Sequence, residues 1–120
     1  MDTKKPSSRS DALTPALDAD ALELFARVAK AGSFSLAARQ AGQTRAAVSR
    51  RIAYMEQRTG QALFLRTTRS LTLTATGRRL LPHAIAVLDA AEQARGTLTS
   101  VRAGLALSLI HISEPTRLGM

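Results

Sequence analysis

Ser35-Leu36-Ala37-Ala38-Arg39-Gln40-Ala41-Gly42-Gln43-Thr44-Arg45-Ala46-Ala47-Val48-Ser49-Arg50-Arg51-Ile52 reads as a short helix, a glycine break and the opening of a second helix. Ser35 is placed to cap the first, Leu36 to Ala41, whose inner side is the small set Ala37, Ala38 and Ala41. Gly42 breaks it. Thr44 caps the next helix, predicted from Arg45 to Arg58, with Val48, Ile52 and Met55 recurring at helical spacing on one face. Arg45, Ser49 and Arg50 occupy its first turns on other faces. A helix enters the major groove of DNA only if a neighbour holds it proud of the surface, and alanines permit that close packing. Arginine and serine at the exposed end then offer donors to guanine edges and phosphates. Arg45 and Arg50 each have the reach to pair with a guanine. Two ordinary helices of an α-bundle are the alternative. The position of Gly42 and of the arginines favours a helix-turn-helix over about residues 35–54.

Upstream, Asp18 precedes the stripe Leu22, Phe25, Ala26 and Ala29, with Val28 beside it, and Gly32 ends the run. Residues 1–16, rich in Ser, Lys, Asp and Pro, read as a disordered leader. Downstream of Gly60 the period changes. Leu63-Phe64-Leu65-Arg66 and Leu71-Thr72-Leu73-Thr74 are predicted strands, and Thr67-Thr68-Arg69-Ser70 lies between them as a hairpin tip. A hairpin directly after such a helix is a wing. Its hydroxyls suit phosphate oxygens, and Arg69 is long enough for a minor groove.

Thr74 or Thr76 then caps a long helix, residues 75–103, with Leu81, Ala84, Ile85, Leu88, Ala91 and Leu98 mostly three or four apart. At about 40 Å it outruns the domain that precedes it. Leu81, Ile85, Leu88 and Ala91 are therefore expected to pair with a second copy, while the first two turns pack on their own domain. Pro82 removes one backbone bond near the start.

Charge sharpens the reading. The chain has 120 residues and a formal net charge of +8. Arg39 to Arg79 contains nine arginines against one acid, Glu56, a surplus of eight, so the rest of the chain balances. A solvated basic face is the bland explanation, but a surplus confined to the segment with the helix-turn-helix and hairpin points to a polyanion. With 45% apolar but only 3% aromatic residues, the interior belongs to Ala, Leu and Val. There are no cysteines, which excludes disulfides and thiolate metal sites and fits the cytoplasm. The polar start is not a signal peptide, and no apolar run is long enough to span a bilayer.

Leu17 to Thr74 resembles the N-terminal domain of LysR-type transcriptional regulators. The matching stretches are Leu22-Glu23-Leu24-Phe25, Ala31-Gly32-Ser33-Phe34-Ser35-Leu36-Ala37-Ala38, Ala47-Val48-Ser49-Arg50-Arg51-Ile52 and Leu63-Phe64-Leu65-Arg66-Thr67-Thr68-Arg69. Leu73-Thr74-Ala75-Thr76-Gly77 then enters the helix as the family's linker helix does. The resemblance implies a mainly α fold: a winged helix-turn-helix of three helices and a short hairpin over residues 17–74, followed by a linker and dimerisation helix. It implies double-stranded promoter DNA with an interrupted palindrome as partner, bound by a homodimer in the bacterial nucleoid. Carried across by position, Ser35, Thr44, Arg45, Ser49, Arg50 and Arg51 face DNA, with Thr67, Thr68 and Arg69 on the wing. One departure is Leu65, where the family often has an acid.

The family's large effector-binding domain is not expected in this chain, nor a small-molecule response. Leu107 to Arg117 reads like the in-frame translation of a sequencing-library adapter, and residues 104–120 are expected to be a tail without evolved function. Gly104 and Pro115 fall where helix would have to continue. His83 and His111 have no second ligand at metal spacing, so neither a metal nor a cofactor is expected. There is no phosphate-binding glycine loop and no nucleophile–base pair, which disfavours an enzyme. The competing function is a nucleic-acid module without sequence preference, or an RNA-binding one. RNA modules expose stacking aromatics, whereas Phe25, Phe34 and Phe64 fall on core-facing positions. A cationic membrane-surface helix fails because the arginines do not alternate with large exposed apolar residues along one helix.

Overall fold

A computed structural model describes residues 16–67 and 70–112, with side chains as far as Leu105. Its elements in chain order are α1 (Ala19–Ala31), α2 (Phe34–Ala41), α3 (Arg45–Thr59), β1 (Phe64–Arg66), β2 (Leu71–Leu73) and α4 (Ala75–Ile112). The fold is a winged helix-turn-helix followed by a long helix. The chain divides after Leu88 into two units, the first holding α1 to α3, the hairpin and the opening turns of α4, the second the remainder of α4.

Each of the first three helices starts on a side-chain oxygen. Asp18 Oδ1 accepts from the Ala21 N–H at 2.9 Å, Ser33 Oγ from Leu36 at 3.1 Å and Thr44 Oγ1 from Ala47 at 3.0 Å. Such caps contribute about 1 kcal/mol each. Ser33, not Ser35, caps α2. The helix begins at Phe34, and the expected start was late because Ser33 and Ser35 are equally good capping residues two positions apart. The deciding factor is Phe34, buried at 7% exposure, which must point inward from the first helical position. Gly32, Gly42 and Gly60 end the three helices in left-handed backbone. At Gly42 (φ 69°) this conformation carries the sharp turn into α3, and Gly42 N–H and Gln43 N–H close onto the Arg39 and Ala38 carbonyls.

The core runs through all elements of the first unit. Phe25, Val28, Ile52, Met55, Val48 and Leu88 are its largest fully buried side chains, and among the described residues no buried side chain is polar. On α1 the buried face is Ala21, Leu24, Phe25, Ala26 and Val28. Leu22 and Ala29, expected on the stripe, sit half-buried at its margin. Ala37 and Ala38 of α2 are buried at 0% and 3%, which allows its close seat against α1 and α3. The Phe25 and Phe64 rings meet at 5.2 Å, tying the hairpin to α1. The hairpin is antiparallel, Phe64 opposite Leu73 and Arg66 opposite Leu71.

Thr74 joins the hairpin to α4. Its N–H donates to the Leu63 carbonyl at 3.0 Å, its hydroxyl donates to the Ala62 carbonyl at 2.7 Å, and Oγ1 accepts from the Gly77 N–H at 2.9 Å. Of the two threonines considered, Thr74 is therefore the cap. Ala84 (0%) and Leu88 (2%) are buried in the core of the first unit, with Leu80, Leu81 and Ile85 packed against it. Packing on its own domain thus lasts to Leu88, beyond the two turns expected. α4 also passes Gly104 and runs to Ile112, past the expected end at residue 103. A single glycine costs a helix only about 1 kcal/mol, and the leucines and alanines around it are strong helix formers.

Candidate nucleic-acid interface

The core fixes how α3 presents itself. Val48, Ile52 and Met55 are each 0% exposed, and one helical half-turn away lie Ala46, Arg50, Ala53 and Gln57, all exposed. This outward ridge is straight and narrow, with Arg50 its long cation. Ala46, Ala53 and Gln57 were missed in the sequence because alanine carries no chemical signal by itself. Helical phase measured from Val48 and Ile52 would have found them.

The other predicted DNA-facing residues distribute over several surfaces. Ser49 is half-buried on the flank of α3. Arg51 is half-buried on the other flank, its Nη2 3.8 Å from Asp18 Oδ1 at the start of α1. It therefore lies off the ridge. Thr44 is exposed, with its hydroxyl oxygen engaged in capping α3. Ser35 is exposed in the first turn of α2. Thr67 shapes the hairpin tip: its N–H donates to the Ser70 carbonyl at 2.9 Å, and its Oγ1 accepts from the Ser70 N–H at 2.9 Å. Thr68 and Arg69 lie outside the described residues.

Arg45 turns toward the hairpin rather than outward. Its guanidinium carbon is 5.8 Å from the centre of the Phe34 ring, and that of Arg66 is 5.3 Å from the same ring. Between them is an open cleft of about 250 Å³ lined also by Ser33, Ser35, Thr67 and Ser70. Arg66 is held by Glu56 of α3, whose Oε1 accepts from Arg66 Nη2 at 3.0 Å. Glu56 Oε2 accepts from the Leu63 and Phe64 N–H groups at 2.8 and 3.1 Å. The one acid of the basic segment thus fastens β1 to α3. Neither Glu56 nor Arg66 was singled out from the sequence, because the pair closes over ten positions with no local period.

The expected dimerisation residues are a mixed set. Leu88 is a correction: at 2% exposure its side chain fills the protein's own core and has no surface to offer. Leu81 and Ile85 are half-buried against that core, and Ala91, in the second unit, is half-buried. Among the described residues, the large apolar side chains that α4 leaves in solvent are Leu98 (69%), Val101 (54%) and Leu105 (62%), spaced so as to share one face. Among the described residues no three His, Asp or Glu side chains come together, and no helix is long and apolar enough to cross a membrane.

Residues 19–78 match the family described as bacterial regulatory helix-turn-helix protein, lysR family. The HTH-type transcriptional activator AllS of Klebsiella pneumoniae is 43% identical over 89 residues, 74% of this chain and 33% of the relative. The probable HTH-type transcriptional regulator LtrA of the same organism is 40% identical over 98 residues, 82% of this chain and 31% of the relative. The chain thus spans about a third of the length of these relatives. Among solved structures, a CbnR DBD–DNA complex superposes with a TM-score of 0.58 at 26% identity, covering 72% of this chain and 99% of that one. Oxidized OxyR of Corynebacterium glutamicum gives 0.61 at 28% identity, covering 71% and 26%.

Proposed function

The chain belongs to the lysR family of bacterial regulatory helix-turn-helix proteins, so residues 19–78 are a DNA-binding domain, and from that premise we propose that it reads promoter duplexes sequence-specifically as a homodimer. The observation that carries this is the outward ridge of α3, where Arg50 stands between Ala46 and Ala53 directly opposite the buried Val48–Ile52–Met55 face. Arginine pairs bidentately with guanine O6 and N7, and alanine packs against thymine methyl groups. The hairpin, closed by Thr67 and Ser70, follows the backbone beside the groove, and Thr68 and Arg69 are assigned to the same contact by their place in the sequence between those two residues. The likeness to a CbnR DBD solved in complex with DNA supports duplex DNA as the partner.

Pairing of two chains is assigned to Leu98, Val101 and Leu105 of α4, flanked by Ala91, because solvent exposure of large apolar side chains on one helix face is relieved by a two-fold partner. RNA as partner is less well supported. Phe25 and Phe64 are buried, Phe34 lies beneath two guanidiniums, and Tyr54 is the one aromatic side chain of α3 in solvent.

Titration of labelled duplex at several salt concentrations tests the electrostatic part. A dimer making about 6–10 phosphate contacts loses about three to five decades of affinity between roughly 50 and 200 mM salt. A flat response would contradict DNA binding through this basic segment.

A further inference from the structure

We propose that the cleft between α2, the start of α3 and the hairpin is a phosphate clamp, and that Arg45 works there as a backbone holder and not as a base reader. The proposal rests on the DNA-binding reading above and assigns one of its contacts. Arg45 and Arg66 come from different elements, yet both guanidiniums lie within cation–π reach of the Phe34 ring, at 5.8 and 5.3 Å. Phe34 is itself 93% buried and so a fixed platform. Two like charges gathered at one ring repel each other, and an anion between them removes that cost. The cleft supplies the room, about 250 Å³, with Ser33, Ser35 and Ser70 among its lining residues.

Glu56 does not cancel the site. Its two oxygens accept from three N–H donors, and its side chain is 14% exposed. It takes one nitrogen of Arg66 and leaves the remaining guanidinium donors for a ligand. Arg45 has no ion pair among the described residues. The chemistry recognised is a phosphate group. Its source here is a phosphodiester of the duplex at the edge of the groove that α3 enters, and a free phosphate ester is the other source of the same chemistry.

Wild type, Arg45→Ala and Arg45→Lys, each with its melting curve, are compared in duplex titrations across salt, in binding-site selection and in phosphate-ethylation interference. The clamp predicts that Arg45→Ala lowers the slope of log K against log salt by about one per bound chain. It also predicts loss of one interfering phosphate per half-site, an unchanged selected sequence, and recovery of the slope by Arg45→Lys. A changed preference at one base pair with the slope kept overturns the proposal, as does an Arg45→Ala protein that binds like wild type. Inorganic phosphate added to the free protein tests the other source. Saturable NMR shifts at Phe34 and Arg45, together with an unaltered duplex slope in Arg45→Ala, overturn the backbone assignment in favour of a free phosphate. If wild type binds no duplex at any salt, the DNA reading itself fails, and the clamp with it.

Discussion

Glu56 is where position and charge meet. A carboxylate that accepts two backbone N–H groups at the start of β1 and a guanidinium from its end holds the hairpin at one place against α3. Removing it leaves the Leu63 and Phe64 N–H groups without acceptors in a half-buried place. Glu56→Ala is expected to cost about 2–3 kcal/mol, read as a lower urea midpoint with an unchanged denaturant slope. Glu56→Gln, whose amide oxygen still accepts, loses less; equal losses in the two variants would mean that the carboxylate charge, and not acceptance by one oxygen, carries the fastening. Ile52, fully buried behind the outward ridge of α3, behaves differently. Ile52→Ala opens a cavity and costs about 2–5 kcal/mol without touching a DNA-facing atom, so its DNA affinity recovers at temperatures where the variant is folded. Persistent loss of affinity in a fully folded Ile52→Ala protein would show that the core face also sets the pose of Arg50.

At the scale of elements, the entry of α4 depends on a close approach. A Cβ at Gly77 would collide with the Leu63 carbonyl oxygen and stand 2.9 Å from Leu73 Cδ2. Backbone cannot yield as a side-chain tip can. Gly77→Ala therefore loses more by overpacking, about 1–3 kcal/mol, than the roughly 1 kcal/mol it gains in helix propensity. A lower melting temperature is expected, and a higher one would refute the close packing of hairpin on helix. Much of this layer was legible in the sequence. Asp18, Thr44, Gly32, Gly42 and Gly60 act locally, within one turn of the residues they cap, so a linear reading finds them. The hairpin was legible through its change of period. What was not legible depends on residues distant in sequence: the Glu56–Arg66 staple, the shared Phe34 platform, and the burial of Leu88, which periodicity alone cannot distinguish from a helix face waiting for a partner. The α2 cap was misplaced by two residues because the competition between Ser33 and Ser35 is decided by where Phe34 must point.

For the whole molecule, the two stretches of α4, before and after Leu88, give opposite expectations. Leu88→Glu places a charge in the core and should abolish the cooperative melt. Leu98→Glu with Leu105→Glu alters exposed positions, so the first unit should stay folded while the sedimenting species falls from dimer to monomer. A double variant that still dimerises would move the pairing surface elsewhere. In the proposed dimer, two α3 helices related by a two-fold axis would engage half-sites about 34–36 Å apart, or a multiple of that spacing. Arg50 stands at the centre of the outward ridge of α3, so under the proposed reading its loss should cost about 1–3 kcal/mol and relax preference at one position per half-site. Selection of binding sites from random duplexes, run in parallel with wild type and Arg50→Ala, tests this most directly. The expected result is a two-fold-symmetric pair of half-sites for wild type that loses discrimination at one symmetric pair of positions in Arg50→Ala. Enrichment of no sequence by wild type, or an identical sequence preference in both proteins, would contradict the assignment of α3 as the element that reads DNA.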